Sequence, residues 1–399
     1  MAKNYIGRWF GNWFWPDNLV LYWFTNYDRS DIMAQTFADN LYDTSFAGID
    51  LKFRDLNPAR PNLVLNSTKG SGAGSDTFGQ PFTFTSEDFG KICSSIDDYS
   101  VARGVMATAS FPGVFNFMTL TNQCSDRREM GNYVHLFDGG NADNLGLTSI
   151  KRAIWNLIDI DGSSERPVFL PRYKDKKIIV ILIDSFTNSN GVSSDLSDPR
   201  HWYDYVVDTN FITATDALLS KNRDSLLEQF KTQRIFPFGN DELTRRMLTT
   251  ATEISADKRH LVMLGIIEEC RHFFSWATDK EISSYCRKSE AWWDELNNAV
   301  KDKMEFIHIS FKDVPDKDLQ DQLNSIKTDF RFDTKTFEPT QLKDEQAISC
   351  AVPTLFGKES GVAEGCRSAH SANTELLKQW TKIIGILNAS IDSARETGR

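Results

Sequence analysis

Residues Val134 to Leu147 read VHLFDGGNADNLGL, and this pattern predicts a strand, a tight turn and a helix. Its apolar first part predicts a strand that ends at Asp138, and a helix is predicted from about 145 to 158. Gly139 and Gly140 permit a tight turn and a close backbone approach that a Cβ would obstruct. Open α/β sheets bind ligands at the carboxyl ends of their strands. Asp138 is therefore a candidate general base, provided that a serine hydroxyl lies within about 3 Å of its carboxylate.

An alternative interpretation makes Asp138 a structural residue. A turn Asp can cap a following helix, and here that helix would begin near Leu145. Asp-Gly-Gly alone is common and favours this alternative. The surrounding sequence has to decide between the two.

Composition excludes several classes of protein. The 399 residues are 40% hydrophobic, which is enough for a large core in one big domain or two ordinary ones. The net charge is -10 and the basic residues are scattered, so we expect no nucleic-acid partner. The start of the chain lacks the apolar run and cleavage site of a secretory signal, and no uncharged run approaches the roughly 20 residues of a membrane span. We expect a soluble or peripheral protein.

The six cysteines form no Cys-x-x-Cys pair, so a zinc or redox site has little support, and we expect no metal or cofactor. Cys270 and Cys286 are separated by the same short interval as Cys350 and Cys366. This spacing would suit two local disulfides in an exported protein. Buried free thiols are the alternative.

Periodicity predicts strands that alternate with helices. The predicted helices are 28–42, 99–111, 208–230 and 371–395, and the predicted strands are 60–67, 81–85, 177–184 and 304–309. A flexible hairpin loop, Lys69–Ser75, joins the first two strands and lacks the Lys-Ser/Thr ending of a phosphate-binding P-loop. The β-branched run of the third strand predicts a parallel strand covered on both faces. The pattern favours a layered α/β architecture in one domain, 1–399.

The first two dozen residues are rich in large aromatic side chains. They include Trp9, Trp13, Trp15 and Trp23. Such density predicts a helix pair packed on a core. An acyl-chain or membrane-interface surface is the functional alternative, since amphipathic aromatics are enriched there.

The segment Val101–Phe115, VARGVMATASFPGVF, precedes Phe137–Gly140, and Asp143 and Asn144 follow. In this order the motifs resemble the patatin-like phospholipase family, in which a small-residue helix precedes the strand with the catalytic Asp-Gly-Gly. The segments 61–68 and 81–84 fall where that family has a hairpin, and Ile183–Thr187 looks like a further core strand. The resemblance covers about residues 30 to 200 well and the remainder loosely.

The resemblance implies a three-layer α/β sandwich with a mostly parallel central sheet. It also implies an acyl hydrolase with a Ser-Asp dyad, in which the serine attacks a lipid ester carbonyl and backbone N–H groups bind the oxyanion. In this sequence the base would be Asp138, with Gly139 and Gly140 as the motif turn and Asn144 as support for the loop. The implied partner is a lipid or acyl-ester substrate, with possible peripheral membrane contact and no cofactor.

The sequence departs from the family pattern at the nucleophile. No serine has glycines both two positions before and two positions after it, and Ser193, which comes nearest, lies after the Asp motif. In the family the first strand, the oxyanion loop and the Gly-x-Ser-x-Gly elbow precede everything matched here. Either an amino-terminal segment is missing, which could also carry a signal peptide, or the chain is an inactive relative that serves as a scaffold or binds lipid surfaces. We expect no esterase activity from the chain as given.

The histidines give no support to a Ser-His-Asp site. His135 lies on the predicted Asp138 strand but points to the opposite face from its neighbours, away from the carboxylate. The others are His201, His260, His272, His308 and His370, and we expect each to be packed or solvated rather than catalytic.

Overall fold

A computed structural model describes fourteen segments of the chain: residues 5–41, 50–70, 78–112, 115–124, 132–159, 166–184, 223–236, 270–271, 273–274, 277, 279–286, 288–314, 319 and 374–396. The chain divides into two compact units. The larger one comprises Lys3–Lys174 and Leu218–Val300, and the smaller one comprises Met1–Ala2, Asp175–Ala217 and Lys301–Arg399. A single domain over the whole chain stays a prediction. None of the described helices combines the length and apolar character that a membrane crossing requires.

Three helices open the larger unit: α1 (Tyr5–Trp13), α2 (Pro16–Phe24) and α3 (Arg29–Leu41). The predicted aromatic helix pair is present as α1 and α2, and the helix predicted over 28–42 is confirmed as α3. Trp9 is buried and its Nε1 donates a hydrogen bond to the carbonyl of Arg29 at 3.0 Å. This buried ring therefore ties α1 to the start of α3.

A four-stranded sheet forms the centre of the larger unit. It consists of β1 (Asn66–Lys69), β2 (Pro81–Thr83), β3 (Met118–Thr121) and β4 (Tyr133–Asp138), in the order β2-β1-β4-β3. The predicted hairpin is confirmed because β1 pairs antiparallel with β2, although residues 71–77 of its loop lie outside the described residues. The prediction that β1 begins at Arg60 is wrong. β2 offers only three residues for pairing and β4 ends opposite Ser67, so none of the described strands pairs with the residues before Asn66.

The chain is a mixed α/β protein, as predicted, but every pairing in this sheet is antiparallel. A mostly parallel sheet is therefore the wrong description of the sheet that carries Asp138. Short connections between β1 and β2 and between β3 and β4 favour antiparallel pairing, because parallel strands need long crossovers. The rule that places ligands at the carboxyl ends of parallel strands consequently does not apply to Asp138.

Helices lie on both faces of the sheet. After α4 (Ser86–Lys91), α5 (Val101–Thr108) packs on the face that carries Phe82 and Leu136. On the opposite face lie the short α6 (Gly140–Asp143) and α7 (Leu147–Trp155), since Arg152 of α7 donates to Thr83, a neighbour of Phe82 in β2. Both predicted helices, 99–111 and 145–158, are present but shorter. The predicted end at Ile158 belongs instead to β5 (Ile158–Asp159), which pairs with β6 (Val168–Phe169).

The carboxyl-terminal part of the larger unit packs on Trp155. It contributes a helix over 223–231, α8 (Asp279–Tyr285) and α9 (Glu290–Lys303). Trp155 contacts aromatic rings of this part, with ring centroids 4.6 Å away for Phe274 and 5.8 Å away for Trp293. Residues 208–222 of the helix predicted over 208–230 lie outside the described residues.

Two disulfides are present among the described residues. Cys270–Cys286 is one of the two pairs that the spacing would suit, and its disulfide excludes the alternative of free thiols at these two positions. Cys93–Cys124 joins the end of α4 to the loop after β3, a pairing that spacing did not indicate. Cys350 and Cys366 lie outside the described residues. The two observed disulfides are consistent with an oxidising compartment.

The smaller unit contains the one parallel pairing among the described strands. β7 (Ile178–Asp184) pairs in parallel with β8 (Met304–Ser310), and both strands were predicted. The final helix, α10 (Thr374–Glu396), packs on β8, and it confirms the helix predicted over 371–395. The prediction that β7 is covered on both faces is wrong, because the side chain of Ile183 is 78% exposed. α10 lies over β8 and leaves that end of β7 open.

Candidate functional site

Asp138 is the last residue of β4 and is held by its backbone. Its N–H donates to the carbonyl of Ser110 at 3.0 Å, and the Thr68 hydroxyl donates to its carbonyl at 2.7 Å. The first bond ties it to the segment that follows α5, and the second ties it to β1. Neighbours on both sides therefore fix the position of the carboxylate.

The turn after Asp138 requires its first glycine. A Cβ on Gly139 would lie 2.1 Å from the carbonyl oxygen of Asn66, so the backbone of β1 lies too close to the turn for any side chain at this position. The N–H of Gly140 donates to Oδ1 of Asp138 at 2.7 Å. The two glycines thus provide the close approach and the hydrogen bond that orients the carboxylate.

The carboxylate of Asp138 is half-buried, and this burial raises its pKa above the ordinary value, while the hydrogen bond from Gly140 lowers it. Oδ2 accepts no hydrogen bond from a described residue. One oxygen is therefore fixed and the other can accept a proton. A raised pKa brings an aspartate closer to the range in which general bases work.

Ser67 lies directly opposite Asp138 in the register of β1 and β4. It is fully buried, and its hydroxyl has no hydrogen-bond partner. It lies within a strand under α5, whereas a nucleophile elbow places its serine on an exposed strand-to-helix turn. The position of Ser67 therefore differs from that of an elbow serine.

Asp143, rather than Asp138, caps α7, the second of the two helices after the turn. Its side chain is 3% exposed, and Oδ2 accepts a hydrogen bond from the N–H of Ser149 in the first turn of α7 at 3.0 Å. Burial raises the pKa of Asp143, although the hydrogen bonds from Thr148 and Ser149 oppose this effect. Oδ1 of Asp143 is buried and accepts no hydrogen bond from a described residue. The capping role proposed as the alternative for Asp138 thus belongs to Asp143. In the sequence, the position of this Asp four residues before the apolar start of α7 could have predicted its capping role.

Asn144 lies against the motif turn with its side chain largely exposed. Its Oδ1 is 3.1 Å from the position of a Cβ on Gly140. Support of the loop by Asn144 stays a prediction.

His135 takes no part in the Asp138 site. Its Nδ1 lies 2.9 Å from the hydroxyl of Thr119, and its ring packs against Phe117 with centroids 4.3 Å apart. Because successive residues of a strand face opposite sides, this ring is on the other face from Asp138. His201, His260, His272 and His370 lie outside the described residues.

The smaller unit contains an Asp–His pair that the sequence did not reveal. Nε2 of His308 lies 3.2 Å from Oδ2 of Asp184, and both side chains are largely buried. The pair forms because parallel pairing places His308 opposite Leu182, two residues before Asp184. No local sequence signal connects two residues so far apart along the chain.

A second missed cluster surrounds Asp88, whose side chain is 2% exposed. Its carboxylate accepts hydrogen bonds from Arg152 at 2.9 and 3.1 Å and from Lys91 at 2.6 Å, and Thr83 also donates to it. Burial alone would raise the pKa of Asp88, but the Lys91 charge and the Arg152 hydrogen bonds outweigh burial and hold it far below its usual range. The cluster joins α4, α7 and β2.

Comparison with known proteins adds no relative. No family model matches this chain, and no curated protein or solved structure matches it at a significant level.

Proposed function

We propose that Asp138 is the general base of a lipid acyl hydrolase of the patatin-like type, in which a serine outside the motifs of this sequence is the nucleophile. The observation that carries the proposal is the Asp138 carboxylate itself. It ends a strand, its Oδ1 is held by the Gly140 N–H, and its Oδ2 accepts no hydrogen bond from a described residue. The Gly139 turn that presents it admits no larger residue.

In the proposed reaction, Oδ2 takes the hydroxyl proton as the serine oxygen attacks the ester carbonyl. The tetrahedral intermediate collapses, the bond to the alcohol breaks, and the proton passes from Asp138 to the leaving alkoxide. Water then hydrolyses the acyl-serine with Asp138 again as the base. The raised pKa of Asp138 suits both directions of this proton transfer.

The proposed fold is a three-layer sandwich with further strands beside those described. Its support is the placement of α5 on one face of the sheet and of α7 on the other. Antiparallel pairing around β4 departs from the mostly parallel sheet that the resemblance implies.

The test measures hydrolysis of p-nitrophenyl butyrate by two purified forms. The chain as given should show no turnover. A form extended by whatever in-frame codons precede Met1 in the gene should hydrolyse the ester if those codons supply a Gly-x-Ser-x-Gly. Asp138→Asn should then lower kcat by roughly 10²- to 10⁴-fold, the contribution of a general base, while Asp97→Asn, which changes an exposed carboxylate of the same unit, should have no effect. Turnover by the chain as given that Asp138→Asn abolishes would contradict the proposal, because the nucleophile would then be a serine of this sequence.

A second candidate function is binding to a lipid surface. One observation favours it: large apolar side chains on and between α1 and α2 are exposed, namely Phe14, Trp15, Val20, Leu21, Trp23 and Phe24. Exposed apolar patches rich in tryptophan are typical of membrane-interface contacts.

Sedimentation with phosphatidylcholine vesicles tests this second function. Trp15→Ser combined with Trp23→Ser should remove binding. Phe117→Ser, which removes an exposed ring elsewhere in the same unit, should leave it intact. Equal sedimentation of all three proteins would count against a role for α1 and α2.

A further inference from the structure

The two described disulfides differ in how accessible their sulfurs are. Cys93 is exposed and Cys124 is half-buried. In the other disulfide Cys270 is only 2% exposed and Cys286 is half-buried. A thiol has to reach a sulfur before it can exchange with a disulfide, and exposed disulfides are the labile ones. Cys93 is therefore the accessible end of its pair.

Cys93 occupies a backbone position that glycine usually takes. It follows Ile92, the C-cap of α4, and its φ is 53°. Its N–H donates to the carbonyl of Gly90 at 3.1 Å, and the N–H of Ser94 donates to the carbonyl of Phe89 at 3.0 Å. These two bonds form a Schellman motif, whose left-handed residue is most often Gly because a Cβ is unfavourable there. The disulfide therefore holds Cys93 in a conformation that its Cβ disfavours.

The surroundings of Cys124 favour its reduced form. Its Sγ lies 3.3 Å from the carbonyl oxygen of Lys91. A disulfide sulfur has no proton to donate, so this contact becomes a hydrogen bond only when Cys124 is a thiol. An acceptor that serves only the thiol stabilises the reduced state relative to the disulfide.

Other contacts hold the two joined segments together without the disulfide. The N–H of Gln123 donates to the carbonyl of Ile92 at 2.9 Å, directly beside the two cysteines. Asp88 ties α4 to α7 through its hydrogen bonds from Arg152. Opening of the disulfide should therefore be a local change that leaves α4 and the sheet in place.

We propose that Cys93–Cys124 is a thiol-exchange site, at which a small thiol such as glutathione modifies Cys93 in the folded protein. The thiolate attacks Sγ of Cys93, a new S–S bond forms between the thiol and Cys93, and the bond to Cys124 breaks. The electron pair leaves with Sγ of Cys124, which takes a proton from water and then donates a hydrogen bond to the carbonyl of Lys91. The exchange consumes one thiol and requires no separate oxidant or reductant. It does not rest on the hydrolase function, because it uses neither Asp138 nor a serine.

The test treats the full chain with reduced glutathione at neutral pH, blocks free thiols with iodoacetamide and maps the peptides by mass without reduction. Cys93 should carry glutathione and Cys124 the iodoacetamide label. This disulfide should open at least about tenfold faster than Cys270–Cys286, the less accessible control. Circular dichroism should stay unchanged while the adduct forms.

Two variants separate the backbone argument from loss of the disulfide. Cys93→Gly and Cys93→Ala both lack the disulfide, but only Ala keeps a Cβ at the left-handed position. Cys93→Gly should therefore melt at a higher temperature than Cys93→Ala. An equal or higher melting temperature for Cys93→Ala would contradict the conformational cost at this position.

Three results from the wild-type protein would overturn the proposal, even if neither variant folds. The first is opening of both disulfides at the same rate, and the second is glutathione on Cys124 instead of Cys93. The third is loss of the circular dichroism signal together with formation of the adduct, since the exchange would then require unfolding.

Discussion

Replacement of Lys69 by Met should stabilise the protein at neutral pH. Met keeps the unbranched shape and apolar contacts of the lysine stem and removes the buried charge. The pKa of Lys69 falls from 10.5 to about 8 on folding. At about 1.4 kcal/mol per pH unit, this difference costs folding about 3 kcal/mol at pH 7, which is the largest gain that Lys69→Met can give.

The sign of the effect follows from proton binding. Between pH 8 and 10.5 the unfolded chain holds the Lys69 proton and the folded chain does not, so this group makes stability rise with pH in that window. Below pH 8 both states are protonated and the full cost remains. The gain from Lys69→Met should therefore be greatest at pH 7 and should vanish near pH 10.5.

Urea unfolding followed by circular dichroism at the two pH values measures this difference. Lys52→Met serves as the control and should change the free energy of unfolding by less than about 0.5 kcal/mol. A loss of stability in Lys69→Met at pH 7, or a gain that is equal at both pH values, would refute the argument that burial of the Lys69 charge costs stability.

Three further predictions concern stability. The pKa of Asp88 is lowered on folding, so its ionised carboxylate contributes to the free energy of unfolding above the ordinary aspartate pKa of about 4. This contribution is lost as the pH falls toward the lowered pKa of the folded state. Asp88→Asn should therefore flatten the acid side of a plot of melting temperature against pH. Gly139→Ala should destabilise the protein by at least about 2 kcal/mol, because its Cβ would meet a backbone carbonyl. Gly90→Ala, at a position with open space, should not destabilise it. Equal melting temperatures of these two variants would contradict the close approach at Gly139. Asp143→Ala removes the cap of α7 and should cost about 1 kcal/mol, measured by urea unfolding; a neutral result would mean that water caps the helix equally well.

Local patterns predicted the elements that carry the candidate site. The apolar run before Asp138 and the two glycines after it were enough to predict strand β4 and its turn, and the β-branched run of β7 predicted a parallel strand. These features depend on neighbours within a few residues. They are therefore visible in a single sequence.

The remaining features depend on contacts between distant parts of the chain. The pairing of β1 with β4, the contact of His308 with Asp184 and the junction of Arg152 with Asp88 join residues that are 64 or more positions apart. The start of β1 was misplaced for the same reason, since no strand in the described part of the chain pairs with the apolar residues before Asn66. An apolar run predicts a strand only where another strand is available to pair with it.

The central claim is that Asp138 accepts the proton of a serine that this sequence does not contain. Its most direct test is the pH dependence of kcat/KM for ester hydrolysis in a form that includes the elbow serine. We predict an acid limb whose pKa lies above the ordinary aspartate value, because burial raises the pKa of Asp138, and we predict that Asp138→Asn removes both this limb and the activity. An unchanged limb and undiminished hydrolysis in Asp138→Asn would contradict the account.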